Sequence, residues 1–260
     1  MSTGISFEDS EKNIPIRLRN MRKFADENYT RPFVVISGAW NIPGTISWLE
    51  IKGKGNKTNK DLEQIGSKIK RDVEKITENI INHGWKVIVG GALGVDYFAT
   101  KKIYDMKKLD QLLIMFPSEK YAYLERLSSA YLDKDIITRD QLNEISGLLD
   151  KISKEHSESV YIPRFEECDE NKYLIRNSRE VFLGDFLCAF HVDDTEGTKD
   201  TIEKFKKSKK PVYVHRYEVL KNGWTENYKE HIYNIEKSPI SKQEIENIFR
   251  LSENKATTTL

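Results

Sequence analysis

The sequence predicts an α/β fold, a Rossmann-like, doubly wound and mainly parallel sheet with helices on both faces. Short, continuous apolar runs, typical of strands buried on both faces, alternate with segments of helical periodicity. Three of these runs end in glycine-containing turns, and 38% of the 260 residues are hydrophobic, enough for a substantial core. Because no repeat or linker is visible, one domain over 1–260 is expected. Its core covers about 33–215, and 1–31 and 216–260 are flanking helical or tail segments.

The individual elements follow from local patterns. Apolar runs predict strands at 33–40, 86–89, 112–116, 159–162, 186–192 and 211–215. Residues spaced three and four apart predict helices over 14–28, 58–83, 98–106, 121–127, 138–152 and 171–184, and a last one ending at Lys209. Thr138 and Gln141 form a capping-box pattern, which places a helix start at that point.

Composition and charge exclude several classes of protein. The 42 Lys and Arg residues nearly balance the 41 Asp and Glu residues, which gives no global case for nucleic acid or an anionic membrane. The two cysteines, Cys168 and Cys188, lack metal-ligand spacing, so neither a disulfide framework nor a metal site is expected. No apolar leader or membrane-length apolar run is present. We therefore expect a cytoplasmic protein.

The stretch from Trp85 to Ala99 is the centre of the functional prediction. A β-branched run, 87–89, breaks into Gly90-Gly91-Ala92-Leu93-Gly94 and resumes as a helical pattern. Parallel α/β proteins bind phosphates at such turns, because glycines admit the ligand and free N–H groups point along the helix dipole. This pattern predicts a phosphorylated nucleoside or a relative of one as the ligand.

Two further turns are expected at the same edge of the sheet. Ser37-Gly38, followed by Ala39 and Trp40, ends the first strand, and Thr195-Glu-Gly-Thr198 follows the strand at 186–192. Since parallel strands point their carboxyl ends to one edge, all three turns converge on one crevice. The Lys-rich segment 41–59 between the first strand and the next helix is either a solvated insertion or a lid over a phosphate.

Three polar residues near the predicted crevice, Arg176, Asn177 and Asp96, each have two interpretations. Arg176 could contact a phosphate with its guanidinium fork and Asn177 a ribose hydroxyl or a neighbouring loop; alternatively they are a solvated arginine and a capping asparagine. Asp96 either contacts a ribose or base, or serves the helix dipole and caps free N–H groups.

These motifs, in this order, resemble the superfamily that joins the DNA-processing protein A (Smf) and LOG ("lonely guy") families. The resemblance covers roughly 33–215 and implies a Rossmann-like sheet, nucleotide binding at the converging turns and frequent dimerisation. The positions that match the family motifs are Gly38, Gly90, Gly91, Ala92, Gly94, Asp96, Arg176, Asn177, Gly197 and Thr198. Ala39 and Trp40 stand where Ser-Arg is usual, so Trp40 is a candidate for stacking on a base.

The chain departs from the LOG pattern at the catalytic position. The phosphoribohydrolases carry a Glu where this chain has Thr201, and a hydroxyl cannot replace a carboxylate in N-glycosidic cleavage. Glu196, in the turn itself, is the candidate substitute, and whether the protein is an enzyme stays open.

We therefore expect a nucleotide-binding sensor or carrier, a homodimer or higher oligomer, with no cofactor, metal or membrane partner. One alternative is LOG-like hydrolysis of a nucleoside monophosphate. The second is single-stranded DNA binding through a local patch at Lys204–Lys210, which the near-neutral charge does not favour.

Overall fold

The structure is a computed structural model that describes residues 14–27, 32–40, 59–132, 137–193, 195–219, 226–238 and 240–251. Within these residues seven strands form one sheet in the order β4-β3-β2-β1-β5-β6-β7. The strands are β1 Phe33–Gly38, β2 Lys86–Val89, β3 Leu112–Met115, β4 Val160–Tyr161, β5 Phe186–Val192, β6 Val212–Val219 and β7 Glu226–Tyr233. All neighbouring pairs are parallel except β6 and β7. The predicted α/β class with a mainly parallel sheet is confirmed.

Helices cover both faces of this sheet. The described α-helices are α1 Ile16–Glu27, α2 Asn59–Asn82, α3 Val95–Asp105, α4 Lys120–Leu127, α5 Arg139–Glu155, α6 Glu170–Leu183, α7 Glu196–Lys207 and α8 Lys242–Phe249. The predicted capping box is confirmed, because the Thr138 side chain accepts from the Gln141 amide and the Gln141 side chain accepts from the Thr138 amide. None of the described helices is both long and apolar enough to cross a bilayer.

The side-chain alternation of β1 divides the core into two layers. Val34 and Ile36 point into the layer that α2, α3, α5 and α8 cover, and Phe33 and Val35 point into the layer that α1, α6 and α7 cover. Every β1 residue from 33 to 36 is buried, which is why its sequence is a continuous apolar run.

The connections of the sheet reverse direction between β1 and β5. From β1 the chain moves outward through β2, β3 and β4, and it then returns to form β5 on the other side of β1. In such sheets a crevice opens beyond the carboxyl ends of the two strands at the reversal, since their following helices lie on opposite faces. The fold therefore places the turns after β1 and β5 at a topological switch point.

The sheet and its core extend beyond residue 215, where we expected the core to end. β6 continues to Val219, β7 pairs with it along its full length, and Phe249 of α8 packs 6.2 Å from the Trp85 ring and 6.5 Å from the Phe186 ring. The physical reason is that β7 is an edge strand. Its sequence, Glu-Asn-Tyr-Lys-Glu-His-Ile-Tyr, is mostly polar, and the described side chains at 228–233 are exposed or only partly buried, so no continuous apolar run marks it.

Candidate functional site

The turns after β1 and β2 meet at the switch point. The Val95 amide, at the start of α3, donates to the Ala39 carbonyl at 3.2 Å, and the Ala39 amide donates to the Phe190 carbonyl of β5 at 3.3 Å. A Cβ on Gly94 would lie 2.3 Å from the Ala39 oxygen, and a Cβ on Gly38 would lie 2.5 Å from Val95 Cγ2. Close backbone packing of β1, β5 and α3 therefore requires both glycines. Trp40 continues from this turn and packs, half-buried, against the core.

The turn after β2 directs its amides inward. The amides of Gly90 and Ala92 donate to Asp96 Oδ2 at 3.0 and 3.3 Å, and the Tyr123 hydroxyl donates to the Gly91 carbonyl at 2.9 Å. Gly91 has a φ of 71°, in the left-handed region that favours glycine. The structure therefore places the Asp96 carboxylate on the amides of its own turn, in the first turn of α3.

Arg176 of α6 covers this turn. A Cβ on Gly90 would lie only 1.5 Å from Arg176 Nη1, so the guanidinium packs directly against the glycine backbone, in the space that a side chain at position 90 would take. Arg176 Nη1 lies 3.8 Å from Asp96 Oδ2, and Nε lies 3.6 Å from Glu180 Oε1 and donates to Asn177 Oδ1 at 3.1 Å. Nη1 is buried and makes no hydrogen bond to any described residue. The arginine is therefore flanked by two carboxylates, yet keeps one unused donor.

Burial shifts the pKa of all three ionised groups. Desolvation raises the pKa of Asp96 to about 6, against the opposing effects of Arg176 and the two amides. It raises the pKa of Glu180 to about 7, with Arg176 again opposing. For Arg176 desolvation lowers the pKa, but Glu180 and Asp96 outweigh it, so the net pKa is raised. Perturbed ionisable groups at the crevice edge of an α/β sheet are typical of functional sites.

A chain of polar contacts connects this cluster to α7. Asn177 is buried and donates through Nδ2 to Asp200 Oδ2 at 2.9 Å. Lys204 Nζ donates to the same oxygen at 2.7 Å and to the Leu174 carbonyl at 3.1 Å. Asn177 thus contacts a neighbouring helix, and the turn after β2 is coupled to the first two turns of α7.

The N-terminus of α7 is open. Thr195 precedes the helix without capping any amide through its side chain, and its hydroxyl donates to the buried Thr198 hydroxyl at 3.3 Å. Gly197 is exposed, and a Cβ added there would meet nothing within 4 Å. Glu196 is exposed, whereas Thr201 is buried and donates to the Gly197 carbonyl at 3.2 Å.

Several lysines of the predicted basic run have partners within the protein. Lys210 Nζ donates to the carbonyls of Gly184 at 2.6 Å and Val181 at 2.7 Å, where it caps the end of α6. Lys204 pairs with Asp200, and Lys206 Nζ lies 3.1 Å from Glu203 Oε1. These contacts give the run a structural role. The proposed lid at 41–59 lies outside the described residues, apart from the first residue of α2.

A cavity of about 330 Å³ adjoins the other side of the turn, beside Leu93 and Gly94 and between α2, α3 and α5. Both lysines of its lining are paired, Lys70 with Glu74 and Lys101 with Asp105 at 2.5 Å, and a further carboxylate, Glu144, accepts from the Tyr97 hydroxyl. The lining therefore shows no preference for an anion.

Sequence reasoning missed Glu180 and Arg179 at this site. Both lie in the middle of α6, in the segment 177–181, where every residue is buried. The spacing of Arg176 and Glu180, four apart on one helix, is the pattern from which the ion pair could have been inferred.

Comparisons with known proteins give a likeness of fold only. No family model and no curated protein matches the chain. Among solved structures it is similar to DNA processing protein A from Helicobacter pylori, at 17% identity and a TM-score of 0.45, covering 77% of this chain and 68% of that one. That structure was described for its single-stranded DNA binding mode. We base no functional step on this likeness.

Proposed function

We propose that the protein binds a nucleotide or nucleotide-derived ligand in the crevice at the carboxyl ends of the parallel strands. The observation that carries the proposal is the open N-terminus of α7 beside the switch point, joined by Asn177 and Asp200 to a buried cluster of ionisable groups. The N-terminus of α7 suits an anion, and the cluster around Arg176 suits hydroxyl groups.

The phosphate is assigned to the start of α7. Helix N-termini attract anions, because unbonded amides and the helix dipole point toward the ligand. Gly197 leaves the approach unobstructed, and the Thr198 hydroxyl, which accepts from Thr195, supplies a further donor at the same place. Among the described residues, the N-cap residue Thr195 makes no side-chain hydrogen bond to these amides.

The sugar is assigned to the cluster around Arg176. Asp96 and Glu180 already offset the charge of this arginine, which weakens its attraction for a phosphate. Carboxylates accept hydrogen bonds from hydroxyl groups, and the unused Nη1 donor of Arg176 can serve a sugar oxygen. The combination of acceptors and one donor supports contact with a ribose.

A binding experiment with matched glycine variants tests this proposal. Thermal melting and calorimetric titration of the wild-type chain are run with AMP, ADP, a cyclic nucleotide and ADP-ribose, alongside Gly197→Ala and Gly147→Ala. Neither added methyl meets an atom within 4 Å, so both variants should fold. A ligand at 100 times its dissociation constant raises the free energy of unfolding by roughly 2.7 kcal/mol.

We expect at least one nucleotide to bind the wild type and Gly147→Ala equally, and Gly197→Ala about tenfold or more weakly, because its methyl obstructs the α7 amides. Equal binding by all three proteins would refute the assignment to α7, and no binding by the wild type would refute the function.

Chromatography of the recovered ligand separates binding from hydrolysis, which releases a free base. A single-stranded oligonucleotide titrated at two salt concentrations tests the DNA-binding alternative.

A further inference from the structure

The cavity between α2, α3 and α5 is a second place where a small molecule fits. Its volume of about 330 Å³ lies at the lower end of the range for small-molecule sites, roughly 300–1,000 Å³. Leu93 and Gly94 line it, whereas the Gly90 and Ala92 amides of the same turn donate to Asp96. The cavity thus shares the turn after β2 with the cluster around Arg176, but it is lined by other residues.

One wall of the cavity is apolar and aromatic. Leu93 and Phe98 are each only 7% exposed, and the ring centres of Tyr97 and Phe98 lie 6.0 Å apart. Lys70 Nζ lies 5.8 Å from the centre of the Phe98 ring, which shows that a cation can reach this ring. Aromatic side chains bind apolar groups, and their ring faces attract cations. This wall therefore suits an apolar group, and it tolerates a positive charge beside it.

The charged groups of the lining leave one carboxylate without a cation. Each of the two lysines has a carboxylate partner on its own helix. Glu144 of α5 is the third carboxylate, and it accepts a hydrogen bond from the Tyr97 hydroxyl. Among the described residues no basic side chain pairs with Glu144. Three carboxylates against two lysines give the lining a net negative charge.

The Tyr97 phenol responds to this negative charge. Burial raises its pKa most, and the hydrogen bond and charge of Glu144 and the charge of Asp105 raise it further. Both carboxylates therefore act on this wall, although Asp105 is paired with a lysine. A protonated amine beside Glu144 would offset the negative charge, whereas a phosphate or carboxylate would add to it.

We propose that this cavity binds an organic amine, with the ammonium group on the Glu144 carboxylate and the apolar body against Leu93, Tyr97 and Phe98. A carboxylate that accepts one hydrogen bond from a phenol keeps further lone pairs for an ammonium group. The contact would be a charge-assisted hydrogen bond, which is stronger than a neutral one. The site is distinct from the proposed nucleotide site, so either proposal can fail without the other.

Three small probes and two matched variants test this proposal. Phenethylamine, which is protonated at pH 7 as lysine is, is titrated calorimetrically into the wild-type chain. Phenethyl alcohol keeps the ring without the charge, and methylamine keeps the charge without the ring. The variants are Glu144→Gln and, as the control, Glu155→Gln. Glu155 is also exposed on α5 and accepts from a tyrosine of α3, Tyr104, at 3.0 Å, but it does not line the cavity. Glutamine keeps an acceptor for the tyrosine in both variants, so both should fold.

We expect the wild type and Glu155→Gln to bind phenethylamine equally, and Glu144→Gln about tenfold or more weakly, as for a lost hydrogen bond to a charged group. The alcohol and methylamine should each bind the wild type about tenfold or more weakly than phenethylamine does, since each lacks one of the two contacts. Equal affinity in the wild type and Glu144→Gln, an equal loss in both variants, or no binding by the wild type would overturn the site. An alcohol that binds as tightly as the amine would refute recognition of the charge, and equally tight methylamine would refute the role of the aromatic wall.

Discussion

The helices α3 and α7 both start at glycine-containing turns on the carboxyl edge, but the two starts are built in opposite ways. At α3 the turn is closed, because Asp96 accepts from two of its amides, Arg176 covers Gly90, and Gly94 packs on the backbone of the β1 turn. At α7 the turn is open within the described residues, since Gly197 is exposed with free space around it and the N-cap residue Thr195 does not cap the helix through its side chain.

Of these two helix starts, the one with more glycines is therefore the less accessible to a ligand. The run Gly90-Gly91-Ala92-Leu93-Gly94 matches a phosphate-binding pattern, yet Gly91 and Gly94 are required by the backbone conformation and packing of the protein itself, and Gly90 is covered by Arg176. The lone Gly197 satisfies no such steric need. A glycine that the fold does not require is therefore the better indication of ligand access at this edge.

The largest expected effect comes from Gly94→Ala in the closed turn. Gly94 has a φ of 70°, and the added Cβ would lie 2.3 Å from the Ala39 oxygen, a backbone atom that cannot move aside independently. We expect a loss of roughly 3 kcal/mol or more in the free energy of unfolding, measured by urea denaturation. Gly147→Ala on α5, the control, should lose nothing. Similar midpoints for the two variants would contradict the closed description of the turn.

A smaller effect is expected from Glu180→Gln, with a defined pH dependence. The folded-state pKa of Glu180 is raised to about 7 from 4.5, so the folded protein binds this proton more tightly than the unfolded chain does. Stability therefore falls as the pH rises from about 4.5 to 7, and the loss persists above pH 7. The amide removes this loss, so the variant should gain up to roughly 3 kcal/mol at pH 8 and little at pH 4.5.

Denaturation of both proteins at several pH values measures this gain. Glu203→Gln, an exposed position on α7, serves as the control and should follow the wild-type profile. Parallel profiles for the wild type and Glu180→Gln would mean that Glu180 titrates normally. A residual slope between about pH 4 and 6 is expected in the variant, since burial also raises the pKa of Asp96 to about 6.

Much of the fold was predictable because its strands are buried on both faces. The runs 86–89 and 186–192 coincide with β2 and β5 residue for residue, and the α5 cap follows from Thr138 and Gln141 alone. β7 was missed because this edge strand is mostly polar in sequence and contains no such run. At the site, the turns and Arg176 were predictable from motifs. Long-range packing decides that Asp96 accepts from its own turn and that, among the described residues, Arg179 Nε and Nη1 are buried without a hydrogen-bond acceptor, and no local pattern records either.

The smallest expected effect is on the stability of Gly197→Ala, and it has the opposite sign to that of Gly94→Ala. Gly197 lies within a helix and its Cβ would meet no atom, so alanine lowers the conformational entropy of the unfolded chain without any clash. We expect a gain of roughly 0.5–1 kcal/mol in unfolding free energy by urea denaturation, similar to that of Gly147→Ala. A loss of stability would show that the start of α7 is closed by contacts of its own. A gain combined with weaker nucleotide binding would show that glycine is retained there at the expense of stability, as expected for a position that a ligand must approach.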